Sequence, residues 1–251
     1  MAKTIAIAGK GGVGKTTIAA LLIQFLSEKG VVLAIDADPS SNLNQALGIS
    51  YERTIGSIRE DLSNAVKKGD FEAGVTKKEF LDLKVEEAIV ETNKIDLLVM
   101  GRPEGPGCYC AVNNMLRSII DSIGNRYDYV VIDCEAGMEH ISRQTTRDLD
   151  YLIIVSEPSM RSLNSALGIK ELIIEIRAKT GKIIQVINRV PKELPKEVWR
   201  FIEEKDLTPT LTISIDEELY DLELEGRPVT ELPKEAVLKE GVKRLASELG
   251  I

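Results

Sequence analysis

The sequence predicts one α/β domain spanning residues 1–251, a doubly wound, mostly parallel sheet flanked by helices, and three observations predict it. Short β-branched runs alternate with stretches of helical periodicity along the chain. The runs are apolar at nearly every position, as in strands covered on both faces. No internal repeat, low-complexity tract or linker breaks the alternation.

The elements follow in order. Thr4 to Ala8 is the first strand; a glycine-rich turn separates it from a helix over Thr16 to Lys29. Val31 to Asp36 is the second strand. Helical patterns over Ile55 to Lys68 and Lys77 to Val90 then make residues from about 50 to 94 an excursion within the domain, a candidate client or dimer surface. The third strand is Asp96 to Met100, followed by a helix over Val112 to Ile123. Tyr129 to Asp133 and Tyr151 to Val155 are the fourth and fifth strands, with a helix over Leu163 to Lys179 after the fifth. Ile183 to Ile187 is the sixth, followed by a helix over Pro195 to Lys205. In the last segment, Leu238, Val242, Leu245 and Leu249 form one stripe. Its lysines are mixed with glutamates and it has no aromatic, so it reads as a helix docked on the domain, not one lying on a membrane.

Composition narrows the function. The 32 Lys+Arg against 40 Asp+Glu leave a net charge of −8, which argues against a nucleic-acid-binding surface. No run of 18 apolar residues exists, so no membrane span is expected. Met1 to Gly9 reads as a strand and not a signal peptide. A cytoplasmic location is therefore expected, where the 3 cysteines need an explanation other than a disulfide framework.

The first strand runs into Gly9-Lys10-Gly11-Gly12-Val13-Gly14-Lys15-Thr16-Thr17, which fits G-x-x-x-x-G-K-[ST] between a strand and a helix. Glycines let backbone N–H groups converge on a polyphosphate, and the next helix adds its dipole. Lys15 is placed to reach the β/γ-phosphates and the Thr16 hydroxyl to coordinate Mg²⁺, with Gly11, Gly12, Val13, Gly14 and Thr17 completing the cradle.

The stretch K-G-G-V-G-K-T-T resembles the deviant Walker A signature of the MinD/ParA/nitrogenase-iron-protein superfamily. The resemblance implies a MinD-like P-loop ATPase fold, ATP/ADP as nucleotide, Mg²⁺, and a homodimer that closes on ATP. Within it, Lys10 crosses to the partner's nucleotide, doing the work of an arginine finger. Asp38, in Asp36-Ala37-Asp38-Pro39, matches the switch aspartate that activates the attacking water, with Asp36 nearer the Mg²⁺ shell. Asp133, closing Val130-Val131-Ile132, matches the Walker B aspartate on Mg²⁺, and Glu135-Ala136-Gly137 starts a second switch. Asn188-Arg189 matches the N-[KR] element whose asparagine reads adenine.

One feature lies outside nucleotide chemistry. Cys108 and Cys110 sit on Gly105-Pro106-Gly107-Cys108-Tyr109-Cys110, between the third strand and the next helix. A closed thiolate site wants four ligands, and two chains on a two-fold axis would supply them. Composition leaves Zn²⁺, Ni²⁺, Cu⁺ and an iron–sulfur cluster open. The Gly105 to Cys110 loop, the Ala136 to Arg143 segment, Glu157-Pro158 and Glu225-Gly226-Arg227-Pro228 resemble the CooC-type ATPases over nearly the whole chain. That resemblance implies an intersubunit nickel or zinc site and a nickel-enzyme client such as carbon monoxide dehydrogenase. His140 stands where the nitrogenase iron protein carries a cluster cysteine, which argues against that kind of cluster. A partitioning or positioning ATPase and an iron–sulfur carrier are the alternatives; the first predicts a basic patch or membrane-seeking tail, neither of which the sequence clearly shows, so no nucleic-acid or membrane partner is expected.

Overall fold

A computed structural model of the chain describes residues 2–68, 77–102, 115, 118–135, 148–207 and 211–251. The strands are β1 (Lys3–Gly9), β2 (Val32–Ala37), β3 (Ile95–Val99), β4 (Tyr129–Cys134), β5 (Asp148–Ser156), β6 (Lys179–Val190) and β7 (Leu211–Ser214). They form one seven-stranded sheet in the order β3-β2-β4-β1-β5-β6-β7, and every pairing is parallel. Central strands hold apolar residues on both faces because helices cover both. In β1, Ile5 and Ile7 pack into one core while Ala6 and Ala8 pack into the other.

The helices are α1 (Lys15–Ser27), α2 (Leu43–Leu47), α3 (Ile55–Lys68), α4 (Lys77–Glu86), α5 (Met160–Glu175), α6 (Lys196–Glu204), α7 (Glu217–Leu224) and α8 (Val237–Glu248), with a helical stretch at 118–123. On one face, α1 supplies Ile18, Leu22 and Leu26, and the last helix docks beside it through Leu238, Val242 and Leu245. On the other, Ile55 and Ile58 of α3 share a core with Ile169 and Ile173 of α5. The segment from 50 to 94 therefore contributes to the main core through Ile55, Ile58, Val85 and Ala88.

The structure corrects several element limits. The helix expected to reach Val90 ends at Glu86, and Val90 instead bridges antiparallel to Leu97. The helix expected to reach Lys179 ends at Glu175, because Lys179 already pairs with Asp148 in the sheet. Sequence periodicity missed α2, β7 and α7, which are 5, 4 and 8 residues long. A four-residue strand is too short to display a period, although Asp216 followed by Glu217 and Glu218 is a readable helix start.

Parallel strands all end at one edge of the sheet. That edge gathers Gly9 of β1, Asp36 of β2 and Asp133 of β4 around the point where the strand order reverses, the usual ligand position in such sheets. Among the described residues, no helix is long and apolar enough to cross a membrane.

Candidate active site

The phosphate loop leaves β1 at Gly9 and enters α1 at Lys15. Its geometry requires glycine at two positions in particular. Gly9 has φ +153° and a Cβ there would lie 2.2 Å from the Val155 carbonyl oxygen of β5. Gly14 has φ +92°, and a Cβ would meet Asn188 Nδ2 at 2.4 Å. Helix α1 begins without a side-chain cap and without an acidic residue in its first turn. By contrast, α5 and α7 are capped by Ser159 and Asp216. An uncapped N-terminus keeps its N–H groups and positive dipole end available to an anion.

A cleft of about 400 Å³ opens on this loop, lined on one side by Gly11, Gly12, Gly14, Lys15, Thr16 and Thr17. Asp38, Asn42 and α2 residues form a second wall, and Arg189, Glu223 and Arg227 a third. Lys15 is buried, its Nζ donating to the Lys10 carbonyl at 3.3 Å. The Lys10 side chain is not among the groups lining this cleft.

Behind the loop stand two carboxylates side by side, since Asp36 and Asp133 are register partners on β2 and β4. Asp133 is 1% exposed; its Oδ2 accepts the Thr16 hydroxyl at 2.6 Å and its Oδ1 has no partner. Burial pushes Asp133 up to about 7, and the neighbouring Asp36 adds to the rise, while the Thr16 hydrogen bond and Lys15 oppose it. Burial likewise pushes Asp36 up to about 6, against hydrogen bonds from the Leu43 and Asp38 N–H groups. An orphaned carboxylate oxygen beside a hydroxyl, with two acids held reluctantly ionised, fits a divalent cation at Thr16 and Asp133. Asp36 is fully engaged: its Oδ1 accepts from Asp38 N and its Oδ2 from Leu43 N, at 3.1 and 2.9 Å, so it braces the Asp38 turn. Asp38 itself reaches the cleft, with Oδ1 accepting the Ser40 N–H at 2.8 Å.

Asn188 and Arg189 lie within the last residues of β6, not beyond the strand, at a register shift between Ile187 and Val190. Asn188 is buried; its Nδ2 donates to the Val13 carbonyl at 2.9 Å and its Oδ1 has no partner. That orientation presents an acceptor, which suits an amino group such as that on adenine. A second pocket of about 270 Å³ joins Asn188 to Ile215 and Tyr220, residues of the missed β7–α7 segment. Cys134 is buried, its thiol pushed up to about 12 chiefly by desolvation, and behaves as a small apolar residue.

Cys108, Cys110 and His140 lie outside the described residues, as does the whole of the second switch from Ala136 to Arg143. Among the described residues, no group of three or more His, Cys, Asp and Glu side chains forms a metal cluster.

The two loop glycines Gly12 and Gly14 permit a sharp comparison. Gly12→Ala meets open space and bears only the strain of φ +82°, about 1–2 kcal/mol. Gly14→Ala adds displacement of Asn188 from the Val13 carbonyl, for a total nearer 2–4 kcal/mol. Thermal melting should rank Gly14→Ala well below Gly12→Ala; equal stability would contradict the Asn188 packing.

Comparison with known proteins agrees with this geometry. A family model described as an AAA domain matches residues 2–187. An uncharacterized ATP-binding protein of Methanocaldococcus jannaschii is 43% identical over 246 residues, covering 98% of this chain and 97% of that protein. The carbon monoxide dehydrogenase accessory protein CooC of Rhodospirillum rubrum is 36% identical over 196 residues, 74% of each chain. The fold is shared with the septum site-determining protein MinD complexed with Mg-ADP from Pyrococcus horikoshii, at a TM-score of 0.71 and 23% identity, over 99% of this chain and 96% of that one.

Proposed function

Because this chain belongs to the AAA-domain family of MinD/ParA-like P-loop ATPases, we propose that it is a dimeric metallochaperone driven by ATP hydrolysis. Cys108 and Cys110 from two copies bind nickel or zinc, and the nucleotide cycle assists nickel insertion into carbon monoxide dehydrogenase or a related enzyme. The observation that carries this reading is the Cys-x-Cys pair itself, in a chain 36% identical to a CooC protein. Strand β3, which precedes the pair, ends at the nucleotide edge, where Met100 N donates to the Asp36 carbonyl at 2.8 Å. A partitioning role leaves the two thiols without a task.

The chain's own residues divide the work of hydrolysis. Lys15 and the loop N–H groups hold the phosphates, Asp38 orients the attacking water, and Lys10 of the partner copy stabilises charge on the transferring phosphoryl group. Magnesium, held by Thr16 and Asp133 with Asp36 behind them, would neutralise phosphate charge when bound. Asn188, with its unpartnered acceptor, secures the nucleotide's other end. If open and closed dimers differ in metal affinity, ATP and metal must influence each other reciprocally.

Cys108→Ser tests the reading. Anaerobic titration of wild-type protein with Ni²⁺ or Zn²⁺ should give one metal per dimer, and the variant should lose that site while retaining ATP binding. Unchanged stoichiometry in the variant would sink the bridging model. A brown protein with broad absorption near 400 nm, on the order of an iron–sulfur chromophore, would favour the carrier alternative.

A further inference from the structure

Two consecutive residues of β6 grip two consecutive carbonyls of the phosphate loop. Asn188 Nδ2 holds Val13 O at 2.9 Å, and Arg189 Nη1 holds Gly12 O at 2.7 Å. The β6 backbone departs from regular strand to permit this: Arg189 has φ +56°, a left-handed conformation that is uncommon for arginine, at the register shift against β7. The same guanidinium nitrogen donates to Glu157 Oε1 at 2.8 Å. Glu157 is fixed in turn, its own N–H donating to Ser162 Oγ at 2.9 Å, where α5 begins.

Gly12 is the position where this grip matters most. Its φ is +82°, with open space where a Cβ would be, and its carbonyl accepts from Arg189. In a planar trans peptide the carbonyl and the following N–H point in opposite directions. Holding Gly12 O on Arg189 therefore aims Val13 N–H away from Arg189. Holding Val13 O on Asn188 does the same for Gly14 N–H. A flipped peptide at Gly12 would turn a carbonyl toward the phosphate instead of a donor.

We propose that Glu157 and Arg189 are positioning residues: the carboxylate holds the guanidinium, and the guanidinium holds the Gly12–Val13 peptide in the orientation that presents its N–H to the nucleotide's phosphates. The side chains are 34% and 43% exposed, so the ion pair adds little to stability, and its effect falls on the loop. This deepens the nucleotide reading and rests on it. It also gives a role to Glu157, which the sequence singles out beside Pro158 without a task.

Calorimetric titration of wild-type protein, Glu157→Gln, Arg189→Ala and the double variant with Mg-ATP and with inorganic tripolyphosphate tests the brace. Both single variants should weaken both ligands by about tenfold, the scale of one hydrogen bond. The double variant should be no weaker than Arg189→Ala, and melting temperatures should stay near wild type. Tighter binding in Glu157→Gln would overturn the proposal, since it would mean that Glu157 competes with phosphate for Arg189. Weakening confined to ATP would overturn it too, by assigning the pair to the base. Wild-type protein that binds neither ligand would overturn the phosphate-cradle reading and the brace together, whereas wild-type binding with unaffected variants would overturn the brace alone.

Discussion

Lys10→Ala is expected to cut ATP turnover on the order of 1,000-fold, the scale of a missing arginine finger, while leaving ATP affinity nearly unchanged. The reason is positional. Lys15 already serves the cleft of its own chain, buried and anchored to the Lys10 carbonyl, whereas the Lys10 side chain does not line that cleft. A cation that acts on a neighbour's phosphate contributes to the transition state and little to ground-state binding. Mixing separates this from local damage. Lys10→Ala combined with Lys15→Ala forms mixed dimers holding one complete site, so turnover should recover to about a quarter of wild type, half the dimers being mixed with one site each. Full activity in Lys10→Ala alone, or no recovery on mixing, would rule out the trans role.

Asp133→Asn should have effects of opposite sign on turnover and stability. Activity should fall by about 10- to 100-fold, because the group meant to face the cation loses its charge. The nucleotide-free protein should nonetheless become more heat-stable at pH 8. Folding pushes Asp133 up to about 7 from 3.8, mainly by burial. For a raised acid, the folded state is favoured when protonated, and that advantage is lost as pH rises through about 7. Asparagine keeps an acceptor for the Thr16 hydroxyl and carries no buried charge. The gain at pH 8 should be up to about 4 kcal/mol, or roughly 8–16 °C in a chain of this length. It should shrink toward pH 5, where wild-type Asp133 is itself protonated in the fold. Melting curves at the two pH values, with phosphate release at pH 8, measure both effects. A wild-type protein more stable than the variant at pH 8 would contradict the raised pKa of this group.

The sheet was legible because parallel strands need apolar residues on both faces, and runs such as Ile5 to Ala8 and Val130 to Ile132 display that need without context. The phosphate loop was legible because its backbone demands glycine at fixed intervals. What the sequence obscured was short or tertiary in origin. Strand β7 has no period to read, and its place beside β6 comes from pairing with Val186 and Ile187. Asn188 and Arg189 were readable as a dipeptide but not as a grip on Gly12 and Val13, residues more than 170 positions away.

The sequence alone thus determined the local chemistry: which residues can cradle a polyphosphate and which strands are buried on both faces. These are properties of short segments, set by covalent geometry and side-chain type. Only the tertiary structure decided which groups are neighbours. It brought Asp36 and Asp133 abreast on β2 and β4 and excluded water from both, which makes both weaker acids. It also turned a bulge in β6 toward the loop after β1. Burial and hydrogen-bond partnership depend on distances between segments remote in the chain, so these properties exist only once the sheet has assembled.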